Sequence, residues 1–292
     1  MQRSITKAAE KKPGINILSI DLEDWFLSYD SSQISYDKWP LLESRVERNT
    51  RTILNLLARH NQKATFFILG WIAERHQDLI KEISDAGHEI GYHSYHHAIP
   101  VNQGKEAFED DLMKGLSLLE KITGKPVRLY RAPMFSLCNA SAWTIPILLK
   151  HGITISSSYK SHHPFNDHRI PSSPFYFEHE GRQLMELPLN RMRFPLLNLV
   201  YTGSGYFRML PLWLIKFLFD RNTYNMTYFH PRDFDENVPF TSLLPAYRNW
   251  MNSFGNSTTS IKLEELLKLF PFLTLSEAAS QLKYSDMPLV KI

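Results

Sequence analysis

Strand-like and helix-like stretches alternate along this chain at intervals of roughly 30 residues, and this constrains the fold more than any other feature. GINILSI, ending at Ile20, is short, apolar and rich in strand formers. Ser44 to His60 then carries apolar residues at Val46, Ile53, Leu54, Leu56 and Leu57, the spacing of a helix with one buried face. ATFFIL (Ala64 to Leu69) predicts a second strand and Trp71 to Ala86 a second helix, stopped by Gly87. HEIGY is the third strand, Glu106 to Ile122 a helix closed by Gly124, and VRLY the fourth strand. Ala140 to Lys150 predicts a helix despite Pro146, and GITIS a strand. Alternation of this kind calls for parallel strands joined by crossover helices, in an open sheet or a barrel.

Regularity breaks over 161–211, where six prolines punctuate one good strand candidate, QLMELPL. It returns with LWLIKFLF, the strand YNMTYFH, a helix around Leu263 to Leu269, and FLTL. No Gly/Ser linker divides the chain. We read a polar lead over 1–14 and a single domain over 15–292, with an irregular insertion at about 161–211.

Composition closes off other classes. Of 292 residues 43% are hydrophobic, too many for a disordered chain, yet no run reaches the ~18 apolar residues of a membrane span. Thirty-three Lys+Arg against 30 Asp+Glu is near balance, which argues against a dedicated nucleic-acid binder. Cys138 alone forms no internal disulfide. With the polar start of the chain this sets the expectation of a cytoplasmic protein.

Four groups that could carry chemistry each follow a predicted strand. SIDLEDWF places Asp21, Glu23 and Asp24 after the first; Asp21 and Glu23, two apart, share a face of extended chain. HEIGYHSYHH holds four of the twelve histidines, and His93 and His97 are spaced so that a helical turn or a tight loop aims both at one ion. YRAPMFS puts Arg131 where a guanidinium can hold Asp21, and TYFHPRDFD puts His230 after a late strand. Singly, each has a bland alternative: a solvated turn, a surface cluster, a surface arginine, a structural histidine. Together they occupy the end of a parallel α/β fold that carries active sites.

The string from ATFFILGW to HSYHH, with SIDLEDWF before it and YRAPMFS after it, resembles the NodB-type polysaccharide deacetylases (carbohydrate esterase family four). GSGYFRMLP and FHPRDFD further resemble the subgroup found with exopolysaccharide and PEP-CTERM loci. The resemblance runs from about Ile15 to Leu275. It implies a distorted (β/α) barrel of about seven strands, and an enzyme that removes an N-acyl group, acetyl first, from an amino sugar. Asp21 matches the catalytic base, His93 and His97 the metal-binding histidines, Arg131 the arginine that holds the base, His230 the catalytic acid, and the Met134 N–H the oxyanion donor. The implied cofactor is one divalent ion: zinc first, with cobalt, iron or nickel as substitutes.

Two departures stand out. Relatives commonly have adjacent aspartates, but here Leu22 follows Asp21, so Glu23 is assigned as the carboxylate ligand with Asp24 as fallback. Relatives often carry an aspartate near Ser156 that supports the acid histidine, and this chain has none there. The expected substrate is an N-acylated amino sugar on a nucleotide or polyprenyl carrier in surface-glycan synthesis. Phe207 to Phe219 is either a buried helix or a lip touching the inner face of a membrane. Alternatives are a deformylase, a cyclic-imide hydrolase, or a non-catalytic carbohydrate-binding relative; binding alone needs no acid–base pair. Oligomeric state is not readable from the sequence.

Overall fold

Parallel strands arranged around an apolar interior dominate the computed structural model, which describes residues 14–27, 34–160, 171–190, 192–194 and 197–292. In chain order the first half comprises β1 (Ile15–Ile17), β2 (Ser19–Leu22), α1 (Val46–Arg59), β3 (Thr65–Ile68), α2 (Gly70–Arg75), α3 (Gln77–Asp85), β4 (Glu89–Tyr92), α4 (Lys105–Thr123), β5 (Leu129–Tyr130), α5 (Thr144–Lys150) and β6 (Ile155–Ser156). The second half adds β7 (Phe175–His179), β8 (Arg182–Glu186), β9 (Met192–Phe194), β10 (Leu197–Leu199), α6 (Ser204–Met209), α7 (Leu212–Arg221), β11 (Tyr224–Met226), α8 (Ala246–Ser253), α9 (Thr259–Leu269), α10 (Leu275–Gln281) and β12 (Leu289–Lys291).

The main sheet runs β12-β7-β8-β6-β5-β4-β3-β2, parallel except where β7 meets β8. β1 pairs in parallel with β11, and the Ile20–Phe229 bridge sets that strand beside β2 as well. Counting β1 and β2 as one interrupted strand, the order β2, β3, β4, β5, β6, β8, β11 supplies the seven strands of a distorted (β/α) barrel. Between β8 and β11 the Asn190 side chain spans the gap, donating to the Tyr224 carbonyl (3.1 Å) and accepting from the Met226 N–H (2.9 Å). The Tyr224 hydroxyl also donates to the Pro188 carbonyl (2.8 Å), so side chains replace a ladder at the seam. The larger apolar core draws on residues from Leu18 through Phe272, so both halves of the chain pack into it.

The alternation seen in the sequence is present, with shorter elements. The first strand breaks at Leu18, whose N–H turns to the Leu273 carbonyl. The expected helix from Trp71 to Ala86 is two, because His76 leaves helical geometry (φ −127°, ψ 47°). Pro146 sits in the first turn of α5, where its missing N–H has no intrahelical partner to lose. FLTL is cut short to one parallel bridge, Leu273 with Ile17, because Thr274 opens α10 with a capping box. The predicted lead over 1–14 lies outside the described residues up to 13, as does 161–170 of the insertion. The described remainder of that insertion is more regular than its prolines suggest. It holds two antiparallel strand pairs and α6, and β8 belongs to the main sheet. No helix among the described residues is long and apolar enough to cross a membrane.

Candidate active site

Asp21 is the penultimate residue of β2, and Glu23 is the first residue past that strand. Both are buried and both line one cavity of about 430 Å³. One Asp21 oxygen accepts from Arg131 Nη1 at 2.6 Å. That guanidinium is fully buried and spends its donors in a fixed fork. Nη1 also reaches Ser19 Oγ (2.9 Å), Nε donates to the Ser157 carbonyl (3.1 Å), and Nη2 to Ser157 Oγ (3.0 Å). The Phe67 and Phe135 rings lie 4.1 and 4.6 Å from it, so the planar fork packs against both while its edge donates.

His93 follows β4 directly, and His97 is delivered by a tight loop rather than a helix. The loop needs left-handed backbone at Ser94 (φ 64°) and His97 (φ 57°), which is costly outside glycine. It is pinned from beneath: Gly70 and Trp71 donate to the carbonyls of Ser94 and Tyr95, and Asp111 accepts from the Tyr95 N–H. A Cβ on Gly70 would sit 2.2 Å from the Tyr95 ring, so that approach requires glycine.

The two Nε2 atoms converge on the same Glu23 oxygen, each at 3.1 Å. His93 Nδ1 donates to the Arg131 carbonyl at 2.8 Å, which fixes its tautomer. A neutral His93 therefore turns a lone pair toward a carboxylate, and only a proton or a cation between them reconciles the contact. Burial would push Glu23 up, but the charges of His97 and His230 and hydrogen bonds from His93 and His97 hold it well below the ordinary carboxylate range. Burial likewise pushes His93 down, and Asp21 and Glu23 more than reverse it. Buried His97 Nδ1 has no hydrogen-bond partner among the described residues. Two imidazoles and a carboxylate within 4.8 Å of one another fit a divalent ion of the zinc type.

Asp24, the fallback ligand, is elsewhere. Its oxygens accept from Ser44 Oγ (2.6 Å) and from the N–H groups of Trp25, Arg45 and Val46, capping the N-terminus of α1. Orphan helix N–H groups attract a carboxylate, and this one is committed to them. Its burial raises its pKa despite those bonds. Glu23, not Asp24, faces the histidines.

His230 follows β11 and reaches the cavity with Nε2 3.9 Å from Glu23. The sequence left its support open because Ser156 stands where a carboxylate was expected. The support comes from Asp233, three residues on, whose Oδ2 accepts from the His230 N–H (2.9 Å) and lies 3.2 Å from Nδ1. Burial pushes Asp233 up, yet the Arg208 charge and the bond from His230 carry it far below the usual range. An aspartate at i+3 after X-Pro was present in FHPRDFD, and its meaning depended on the turn bringing it back. Arg232, also unassigned from sequence, bridges Glu23 Oε2 at 3.3 Å. Met134 lines the cavity in a left-handed turn (φ 61°).

Similarity to known proteins agrees with this geometry. Residues 27–155 match the polysaccharide deacetylase family, and 156–280 match a domain of unknown function (DUF3473). Over 106 residues the chain is 36% identical to a peptidoglycan deacetylase of Helicobacter pylori, covering 36% of this chain and 35% of that protein. A peptidoglycan-N-acetylglucosamine deacetylase of Bacillus cereus is 36% identical over 84 residues, 29% of this chain and 39% of the relative. The chain thus matches little more than a third of the length of these relatives. A solved Mycobacterium smegmatis structure assigned to the polysaccharide deacetylases shares the fold over 98% of this chain and 96% of its own, with a TM-score of 0.66 at 18% identity. Asp21 and Glu23 precede the first matched segment and His230 lies in the second, so the cavity is assembled from both and from the strand before them. Residues 27–155 thus carry the match to the polysaccharide deacetylase family, and the cavity draws on residues on both sides of them.

Proposed function

We propose that this protein is a metal-dependent N-deacetylase of amino sugars in a glycan, with 15–292 acting as one catalytic domain. The observation that carries the reading is the convergence of His93 and His97 on one oxygen of Glu23, a residue that lines one cavity with His97, Asp21 and His230. Glu23, His93 and His97 would hold the ion, zinc by preference. When bound, such an ion polarises an acyl carbonyl and lowers the pKa of water toward neutrality.

The chain's own residues supply the rest. Asp21, held by Arg131, accepts the proton of the attacking water. The Met134 N–H donates to the oxygen that gains charge on the acyl carbon. His230, its ring oriented by Asp233, protonates the departing amine, which is a poor leaving group otherwise.

The relatives' names point to N-acetylglucosamine in a polymer. A nucleotide- or polyprenyl-linked precursor in surface-glycan synthesis is the finer reading, and one feature supports the lipid carrier. On α7, Ile215, Leu218 and Phe219 are buried while Trp213 (70%) and Phe217 (49%) are exposed, as a membrane-touching lip requires. A cytoplasmic, membrane-peripheral location goes with that carrier. The test is release of acetate from the N-acetylglucosamine tetramer and from nucleotide- and polyprenyl-linked N-acetylglucosamine, with formate measured from N-formyl analogues. Acetate from any of the three supports the reading. Formate alone assigns a deformylase, and neither product sinks it.

A further inference from the structure

Beyond the reacting groups, the cavity has a second kind of wall. Tyr206 and Met209 from α6, and Trp250, Met251 and Phe254 in and after α8, line it with large side chains that all remain substantially exposed. Their backbone is held by a single buried guanidinium. Arg208 Nη1 donates to the carbonyls of Asn252 (3.0 Å) and Phe254 (3.1 Å) and to the Asn256 side chain, and Nη2 to the Met251 carbonyl (3.0 Å). Lys262 ties down the end of α6 through the carbonyls of Arg208 (2.7 Å) and Leu210 (2.9 Å). Arg208 Nε also lies 3.4 Å from Asp233, the carboxylate that orients His230. The wall is therefore fixed relative to the catalytic end and not a loose flap. On it, the Trp250 ring rests against Phe254 (centroids 4.7 Å, 37°) and is still 54% exposed.

We propose that Trp250, with Tyr206 beside the same cavity, is a stacking subsite for a pyranose ring of the glycan that adjoins the sugar being deacetylated. This rests on the reading of Asp21 and His230 as acting on an amino sugar. A pyranose presents C–H groups on its faces and hydroxyls at its rim. An indole face, negative through its quadrupole, attracts those C–H groups, while the Tyr206 phenol at the same cavity brings a hydroxyl to a rim. An acyl chain calls for a closed aliphatic groove, and this lining is aromatic and charged in one space. The occupant is a sugar ring, and the substrate extends past one residue.

The probe is the tetramer of N-acetylglucosamine, with the monomer alongside, titrated calorimetrically into Asp21→Asn protein with and without Trp250→Ala or Trp250→Phe. The tetramer is expected to bind more tightly than the monomer. Trp250→Ala should weaken its Kd about tenfold, and Trp250→Phe should keep most of the affinity. An unchanged tetramer Kd in Trp250→Ala, or a tetramer no tighter than the monomer, overturns the subsite. So does loss of binding to vesicles carrying polyprenyl phosphate while tetramer binding persists, which would give the wall to a lipid. The readout is binding without turnover, so a Trp250-dependent Kd stands even if no acetate is ever released. Conversely, acetate release with a Trp250-independent Kd removes the subsite alone.

Discussion

Replacing Arg131 with methionine separates what holds the barrel interior together from what performs chemistry. Methionine fills much of the slot between Phe67 and Phe135 and keeps sulfur–aromatic contact, but it brings no donors. The Asp21 carboxylate, 3% exposed, loses its 2.6 Å partner, and the Ser157 carbonyl and hydroxyl lose theirs. Removing one member of a buried ion pair costs about 3–5 kcal/mol, and a neutral group left unsatisfied adds about 1–3 kcal/mol. Partial repacking offsets some of this, and we expect a loss of about 4 kcal/mol. Removing the orphaned charge as well should return part of it: Arg131→Met with Asp21→Asn should be about 2 kcal/mol more stable than Arg131→Met alone. Urea unfolding of wild type, both single variants and the double variant measures the cycle. A single Arg131→Met variant within about 1 kcal/mol of wild type would refute the reasoning. So would a double variant no more stable than Arg131→Met.

Three other predictions follow from the same geometry. Asp24→Ala should cost about 1–3 kcal/mol in urea unfolding through loss of the α1 cap, while metal content by mass spectrometry stays at the wild-type level. His93→Ala should lose the metal under the same measurement, with Glu23 and His97 left as an incomplete set. His88 tests pH linkage away from the site: its burial, helped by the Lys63 charge, lowers it to about 4. The unfolded chain protonates His88 near 6.5 and the folded one only near 4. Its contribution is therefore full above about pH 6.5 and falls as pH drops through that window, by an order of 1–2 kcal/mol at pH 5. The difference in stability between pH 7 and pH 5 should shrink by that amount in His88→Gln.

Much of the catalytic end was legible because each strand delivers its residue directly. Asp21 lies near the end of β2, His93 and Arg131 follow β4 and β5, His230 comes a few residues after β11, and the resemblance together with period-two alternation put Glu23 ahead of Asp24. What Asp24 does instead depended on α1 starting within reach of it, a long-range fact with no local signal. Asp233 was in plain view but its partner was set by the turn after His230, where backbone and side chain of one histidine meet one carboxylate. The wall of Tyr206 and Trp250 was least legible. Its two pieces are some 40 residues apart, and the Arg208 fork that joins them has no local signal in the sequence. Proline density over 161–211 misled in the opposite direction, since prolines at strand ends leave the ladders of β7 and β8 intact.

The central claim is that Asp21 is the proton acceptor of a metal-dependent deacetylase. The most direct measurement compares acetate release from N-acetylglucosamine tetramer by wild type and Asp21→Asn at equal bound metal. The account predicts that Asp21→Asn keeps its metal and loses about 100-fold or more in rate. Acetate release by Asp21→Asn at the wild-type rate would contradict it.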